Sequence, residues 1–390
     1  MVIPKLALRN LLGAGLRTWL NVIALSFSFV AIIFLQGLYN GMADQMEKET
    51  LNAQYAGGQY WQKDYDPYDP LTLEDAHGKV PGELQELVEE NKAAPILIRQ
   101  ASIYPNNRFQ NALLKGITPG QTILSIPTSV LITDEETIPA LIGSRMAKST
   151  GLKIGDYVTV RWRDANGTFD ADEVKIVEVM KTNVSDIDNG QLWIPIERMR
   201  KMTAMPDEAT IVVLEKGSQF GGAIDNWNHK GLEFLMQDVR ALFLSKSIGG
   251  SIFYLVLLLL AMLAIFDTQI LSIFRRRKEM GTLMALGMTR SKLIQLFTLE
   301  GSMHAVLAAI VAAAYGIPLL MYVGSKGYGL PEATDSYGLA IGNRIFPTYT
   351  VGLVIGTTLL VLIVTTIVSY LPTRKIAKLK PTDALRGKLT

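Results

Sequence analysis

The chain has 390 residues, 38 basic against 36 acidic for a formal charge of +2, and no cysteine. That balance gives no bulk attraction to nucleic acid, and the missing cysteine excludes disulfides, thiolate metal sites, iron–sulfur clusters and thiol nucleophiles. With 49% hydrophobic and only 19% charged residues, a wholly cytosolic enzyme is a poor fit, and three scattered histidines (His77, His229, His304) make a histidine-rich metal site improbable.

Four stretches free of Asp, Glu, Lys and Arg are long enough for a hydrocarbon core that takes about 20 apolar residues per helix. They cover 18–43, 247–266, 301–325 and 345–373, and the second is expected to continue past Asp267 to residue 274. The first follows Lys5, Arg9 and Arg17, yet it is too long for a signal-peptide core and lacks a good cleavage site at Gly41 to Asp44, so it is expected to remain as an anchor. Cytoplasmic flanks carry the positive excess. Here they are Arg275 to Lys278 with Arg290 and Lys292, and Arg374, Lys375, Lys378, Lys380, Arg386 and Lys388. Both termini are therefore expected inside a bacterial inner membrane, with residues 44–246 periplasmic or extracellular. That segment holds 30 acidic and 21 basic residues, so the near-neutral total conceals a polarised molecule.

The outer segment is long enough for one domain with its own core, divided into two lobes. Its pattern is mixed α and β. Leu84, Leu87 and Val88 predict a helix within 81–92, and strands are expected at 94–104 and 113–117. Thr137, with Pro139 in the first turn, is expected to open a helix that ends at Gly151. The alternation over 156–162, the Asn166-Gly167 turn and the return at 174–179 predict a hairpin. Further strands are expected at 191–196 and 209–214. Leu232, Leu235, Met236, Val239, Leu242 and Phe243 form one stripe that predicts a helix entering the second span without a break, and Tyr39, Met42 and Met46 prolong the first span outward.

The loop after the second span begins Arg275-Arg276-Arg277-Lys278-Glu279-Met280-Gly281. Met280, Leu283, Met284 and Leu286 give a short helix an apolar face, Gly287 is suited to end it and Thr289 to cap the next. A plain connector between spans has no need of such a helix.

This loop resembles that of the MacB/FtsX/LolC family of ABC transporter permeases, matching at Arg275 to Arg277, Glu279, Gly281, Leu283, Ala285, Leu286, Gly287, Thr289 and Arg290. Leu6 to Leu11 is similar to the family's amphipathic elbow within residues 1–17, 370–386 to its carboxyl-terminal tail, and 142–156 to its smaller outer lobe. The layout comes nearest to the lipoprotein-releasing members. The resemblance implies four transmembrane helices with a mixed α/β domain between the first two, a short outer loop at 326–344 and a tail at 374–390. It also implies a homo- or heterodimer of permease subunits on two ATPases that bind ATP and Mg. This chain needs no cofactor of its own. Its nearest approach to a phosphate loop, at Lys148-Ser149, lacks the required glycines, so no catalytic residues or metal ligands are expected and the chain is read as a permease, not an enzyme.

On that resemblance Arg276, Lys278, Glu279, Met280, Leu283, Leu286, Gly287 and Arg290 are expected to form the ATPase-coupling surface. If the substrate is a lipoprotein, lipid or other amphipathic molecule, its cavity is expected between the outer halves of spans one and two across a dimer, at Leu35, Leu38, Met42, Ile248, Ile252 and Val256. Export of a peptide or small molecule with a periplasmic chaperone or adaptor, and FtsX-like regulation of a cell-wall hydrolase, are the alternatives. Asp267 and His304 are expected at membrane interfaces, and Gly249 and Gly250 to allow close helix approach in the dimer.

Overall fold

The computed structural model describes residues 15–133, 136–182, 184–218, 221–329 and 344–376. The elbow up to residue 14, most of the short outer loop and the tail from 377 lie outside the described residues. In chain order come α1 (Leu16–Thr50), continued by a π-helical turn (Leu51–Tyr55), then β1 (Gln59–Gln62), β2 (Gly78–Lys79), α2 (Gly82–Glu89), β3 (Ala93–Ile103) and β4 (Gln110–Ile117). β5 (Ile138–Gly143), α3 (Ser144–Thr150), β6 (Tyr157–Arg163), β7 (Phe169–Met180), α4 (Ser185–Asp188), β8 (Gln191–Pro195) and α5 (Ile196–Thr203) follow. The rest is β9 (Glu208–Ala209), β10 (Ile211–Leu214), β11 (Trp227–Lys230), α6 (Leu232–Leu235), α7 (Gln237–Arg275), α8 (Arg277–Ala285), α9 (Arg290–Lys326) and α10 (Val351–Ile376).

The chain divides into two compact units, one of residues 1–42, 243–329 and 345–390, the other of 43–242 and 330–344. In the first, three described helices are long and apolar enough to cross a membrane: Thr18–Tyr55, Arg290–Lys326 and Val351–Arg374, with a shorter apolar stretch at Gly250–Leu260 inside α7. Val22, Leu25, Phe29 and Val30 of α1 pack with Leu258, Val361 and a seam of small residues on α9, Ala305, Ala308 and Ala312. Small residues let backbones approach where lipid supplies no hydrophobic drive. A Cβ on Gly316, one turn further along that seam, would stand 2.6 Å from Val30 Cγ2. Gly250 makes a close approach within the chain, where a Cβ would lie 3.2 Å from the Tyr39 ring. His304 is a buried residue of α9. It is 5% exposed, and its Nδ1 pairs with the Glu300 carbonyl at 3.0 Å. Asp267 is exposed on α7.

The second unit is built on one nine-stranded sheet in the order β11-β1-β10-β3-β4-β8-β5-β7-β6, and β3 also pairs with β6. That extra pairing, Ala101 to Ile103 against Trp162 to Val160, closes six strands into a ring. Eleven residues long, β3 pairs with β4 over Ile96 to Ile103 along one edge, and along the other with β10 at its start and β6 at its end, so one strand runs through both parts of the sheet. Leu97, Leu114, Ala140, Ile142, Val160, Val174, Ile176 and Leu192 fill one core. Ile96, Ile98, Leu141, Trp193 and Val213, alternating with them in sequence, point to the other face and form a second.

One local expectation fails. Residues 138–143 form a fully buried strand instead of a helix, pairing parallel to β7 and, at Leu141 and Ile142 only, antiparallel to β8. Pro139 is tolerated because it lies beyond the end of the β8 pairing, where no donor is required. The helix starts at Ser144 and ends as expected at Gly151, which takes the left-handed φ of 77°. The hairpin of β6 and β7 forms, with Gly167 at φ 81° and Asp164 Oδ1 accepting from the amides of Asn166 and Thr168 at 2.9 and 2.7 Å. The stripe expected as one helix is interrupted at Met236, which closes α6 and accepts from Arg240 N at 3.0 Å to open α7.

Candidate functional site

The loop helix α8 is held at both ends by local chemistry. Its carboxyl end closes in a Schellman motif, with Met288 N donating to Leu283 O at 3.0 Å and Gly287 N to Met284 O at 3.1 Å, and Gly287 supplying φ 96°. Thr289 then caps α9, accepting from Lys292 N at 3.4 Å. The apolar face of α8 turns inward. Met280 is 3% exposed against Leu293 and Phe297, each 1%, with Leu283, Met284 and Met288 packed around them.

At the amino end Arg276 locks the helix to α9. Its Nη1 donates to both carboxylate oxygens of Glu300, at 3.0 and 2.9 Å, and its Nε to Glu279 at 2.7 Å. The guanidinium also stands 5.1 Å from the Phe297 ring centroid. Burial alone would lower the Arg276 pKa, but the bonds to Glu279 and Glu300 outweigh it and the net shift is upward. A shared carboxylate that is itself 6% exposed makes this a buried charge pair. Removing either partner would break a buried pair and leave the other charge less fully compensated.

The eight residues expected to couple thus divide. Arg276, Met280 and Leu283 are engaged within the chain, while Lys278, Glu279, Leu286, Gly287 and Arg290 are exposed, Leu286 at 80%. The apolar side chain offered by this face is Leu286, not the Met280 that the sequence pattern also supplied. Glu300 was legible only as the charge that ends the third apolar stretch. Of the expected substrate-cavity residues, Leu35, Leu38 and Met42 are half-buried, Ile252 and Val256 are 64% and 45% exposed, and the Ile248 side chain lies outside the described residues.

Residues 18–226 match the family described as MacB-like periplasmic core domain, and residues 251–381 that described as FtsX-like permease C-terminal. The fold of a large β-rich outer unit between long apolar helices, with these two matches in order along the chain, defines a membrane-embedded ABC transporter permease. The chain belongs to the MacB/FtsX-type family, as a multi-pass membrane protein with an extracytoplasmic core domain. It is 31% identical over 134 residues to an uncharacterised ABC transporter permease of Methanocaldococcus jannaschii. That match takes in 33% of this chain and 30% of the relative, well under two thirds of its length. It is also similar to the crystal structure of the extracellular domain of the noncanonic ABC-type transporter YknZ from Gram-positive bacteria. There the identity is 14% and the TM-score 0.27, over 42% of this chain and 84% of that one, and the family assignment does not lean on it.

Proposed function

We propose that this chain is the permease subunit of a mechanotransmission transporter. A separate ATPase, carrying ATP and Mg, seats the loop helix and drives movement of the outer domain, in a dimer of four-span permeases with both termini cytoplasmic. The observation that carries the reading is the clamped loop helix. Arg276–Glu300 and the Met280 core fix α8 on α9, so force applied to its exposed rim is passed to a long apolar helix instead of being lost in a flexible loop. The substrate class we favour is a lipidated or otherwise amphipathic molecule drawn from the outer leaflet. The half-buried outer turns of α1 and the exposed Ile252 and Val256 of α7 supply apolar surface for an acyl chain.

Leu286 decides the coupling reading. Covering a leucine that is 80% exposed contributes about 1.5 to 3 kcal/mol to an interface, so Leu286→Asp is expected to lower ATPase co-purification by roughly tenfold or more while the permease still inserts and keeps its thermal midpoint. Undiminished complex recovery and ATP turnover would reject α8 as the coupling element. Met280→Asp is no substitute for this test, because a charge there breaks the interior of the permease itself.

A further inference from the structure

A cavity of about 320 Å³ opens inside the outer unit, between the second core and the chain segments that lead in from α1 and out to α7. Tyr55, on the π-helical turn that ends the α1 run, forms one wall. Phe234 of α6 and Asp238 at the start of α7 form another. The floor is the sheet, with Ile96 and Ile98 of β3, Lys115 of β4 and Trp193 of β8.

Lys115 is the unexpected member. It follows Ala112, Leu113 and Leu114 in the strand and is 8% exposed. Its ammonium stands 4.9 Å from the Trp193 ring centroid, and no hydrogen bond or ion pair to Nζ is formed among the described residues. Leaving a lysine charge buried without a counter-ion is costly, and one replaced by an apolar residue would pack the same strand without that cost. Beside it, Trp193 Nε1 is buried with no acceptor. Tyr55 and Tyr65 on the same cavity hold their phenolic protons strongly, burial pushing both up to about 12, so they too present donors. The acceptors on the wall are committed: Asp238 to the Tyr68 hydroxyl and Gln59 Oε1 to Trp61 Nε1 at 2.7 Å. Asp186 is an exposed member of the lining whose charge acts on Lys115 without forming an ion pair with it.

We propose that this cavity binds a small organic anion, a carboxylate with a compact apolar body, its charge on Lys115 and Trp193 Nε1 and its body against Ile96, Ile98 and the aromatic walls. The volume falls at the small end of ligand pockets, which excludes a folded protein segment or a diacyl lipid. A cationic ligand is disfavoured, because Lys115 occupies the Trp193 face and Lys230 stands 5.3 and 4.6 Å from the Trp61 and Phe234 ring centroids. The occupant would touch Tyr55 and Asp238 together, and so bridge the end of one membrane-directed segment and the start of the other. This site goes beyond the transport reading and stands without it.

The test uses the full chain in lipid nanodiscs, titrated with benzoate and with hexanoate while intrinsic tryptophan fluorescence is followed, and with benzamide as the uncharged control. A saturable response to at least one carboxylate and none to benzamide is expected. Lys115→Met should weaken that binding by roughly tenfold or more, equivalent to about 1.4 kcal/mol. Trp193→Phe, which keeps an aromatic ring and removes Nε1–H, should weaken it by a smaller factor, read by calorimetry because the substitution removes one of the two cavity tryptophans and changes the fluorescence signal itself. No saturable response to either carboxylate, an equal response to benzamide, or unchanged affinity in Lys115→Met would each overturn the site. Failure here leaves the Leu286 test untouched.

Discussion

Two regions of this molecule bury a cation, and they treat it in opposite ways. Below the membrane helices, Arg276 is met by a bidentate carboxylate at 2.9 and 3.0 Å and by Glu279. In the outer unit, Lys115 is more deeply buried, stands against an aromatic ring and makes no ion pair among the described residues, with Asp186 acting on it only at a distance. A saturated charge pair fixes geometry at modest net stability, since desolvation offsets most of the Coulomb gain. An unsaturated charge destabilises its surroundings and persists where something outside the chain completes it. Arg99 stands between the two. It is 4% exposed, and its Nη1 donates to the Leu73 and Glu74 carbonyls at 2.6 and 2.9 Å, so hydrogen bonds are satisfied although burial lowers its pKa.

The comparison is broken most directly at the clamp. Glu300→Gln leaves Arg276 half-buried with Glu279 alone. Because Arg276 keeps some exposure, the loss is expected near the low end for a broken buried pair, about 3 kcal/mol. A thermal midpoint in detergent as high as wild type would show that the pair is ornamental and that α8 is held by Met280 and Phe297 instead. Arg99→Met is the intermediate case. It relieves one desolvated charge but strands two carbonyls of the Pro70–Glu74 turn, with an expected loss of about 2 kcal/mol. A neutral result there would mean that water replaces the guanidinium and that the turn is looser than its hydrogen bonds imply.

How far the sequence foretells these three sites follows from where their signals lie. The spans, the hairpin and the loop helix are legible because each repeats a local pattern: length without charge, alternation around Asn166-Gly167, or an apolar face closed by Gly287. The strand at 138–143 escapes notice because Thr137 and Pro139 imitate a helix start, while the feature that decides, burial between β7 and β8, comes from residues more than 30 positions away. The Arg276–Glu300 pair crosses 24 positions and leaves no periodic trace. Lys115 leaves a partial one. A single lysine between Leu114 and Gly116 stands out in an apolar run, but its meaning depends on the pairing of β4 along both edges and on the cover over both faces, which leave it no solvent to reach.

The smallest expected effect is also the one that separates Lys115 from the other two cations. Burial brings its pKa down from 10.5 to about 8, with Asp186 opposing. Between about pH 8 and 10.5 the unfolded chain therefore holds a proton that the folded chain has released, so stability rises with pH across that window. The destabilising term is fully present below pH 8, amounts to at most about 3 kcal/mol, and is relieved as the pH climbs. Lys115→Met removes it, and after the lost cation–π contact is set against that gain, the variant is expected to be more stable than wild type by about 1 kcal/mol at pH 7. From pH 7 to pH 10 wild type should gain about 2.5 kcal/mol on the variant, so the order of the two should reverse. The other titrating groups on the cavity, Tyr55, Tyr65, Tyr68, Asp186 and Asp238, are common to both proteins and largely cancel in the difference. Thermal midpoints of the two at pH 7 and pH 10 give the answer. A variant less stable than wild type at pH 7 would place Lys115 with Arg276, as a residue the fold needs, and withdraw the stability argument for a ligand-completed site.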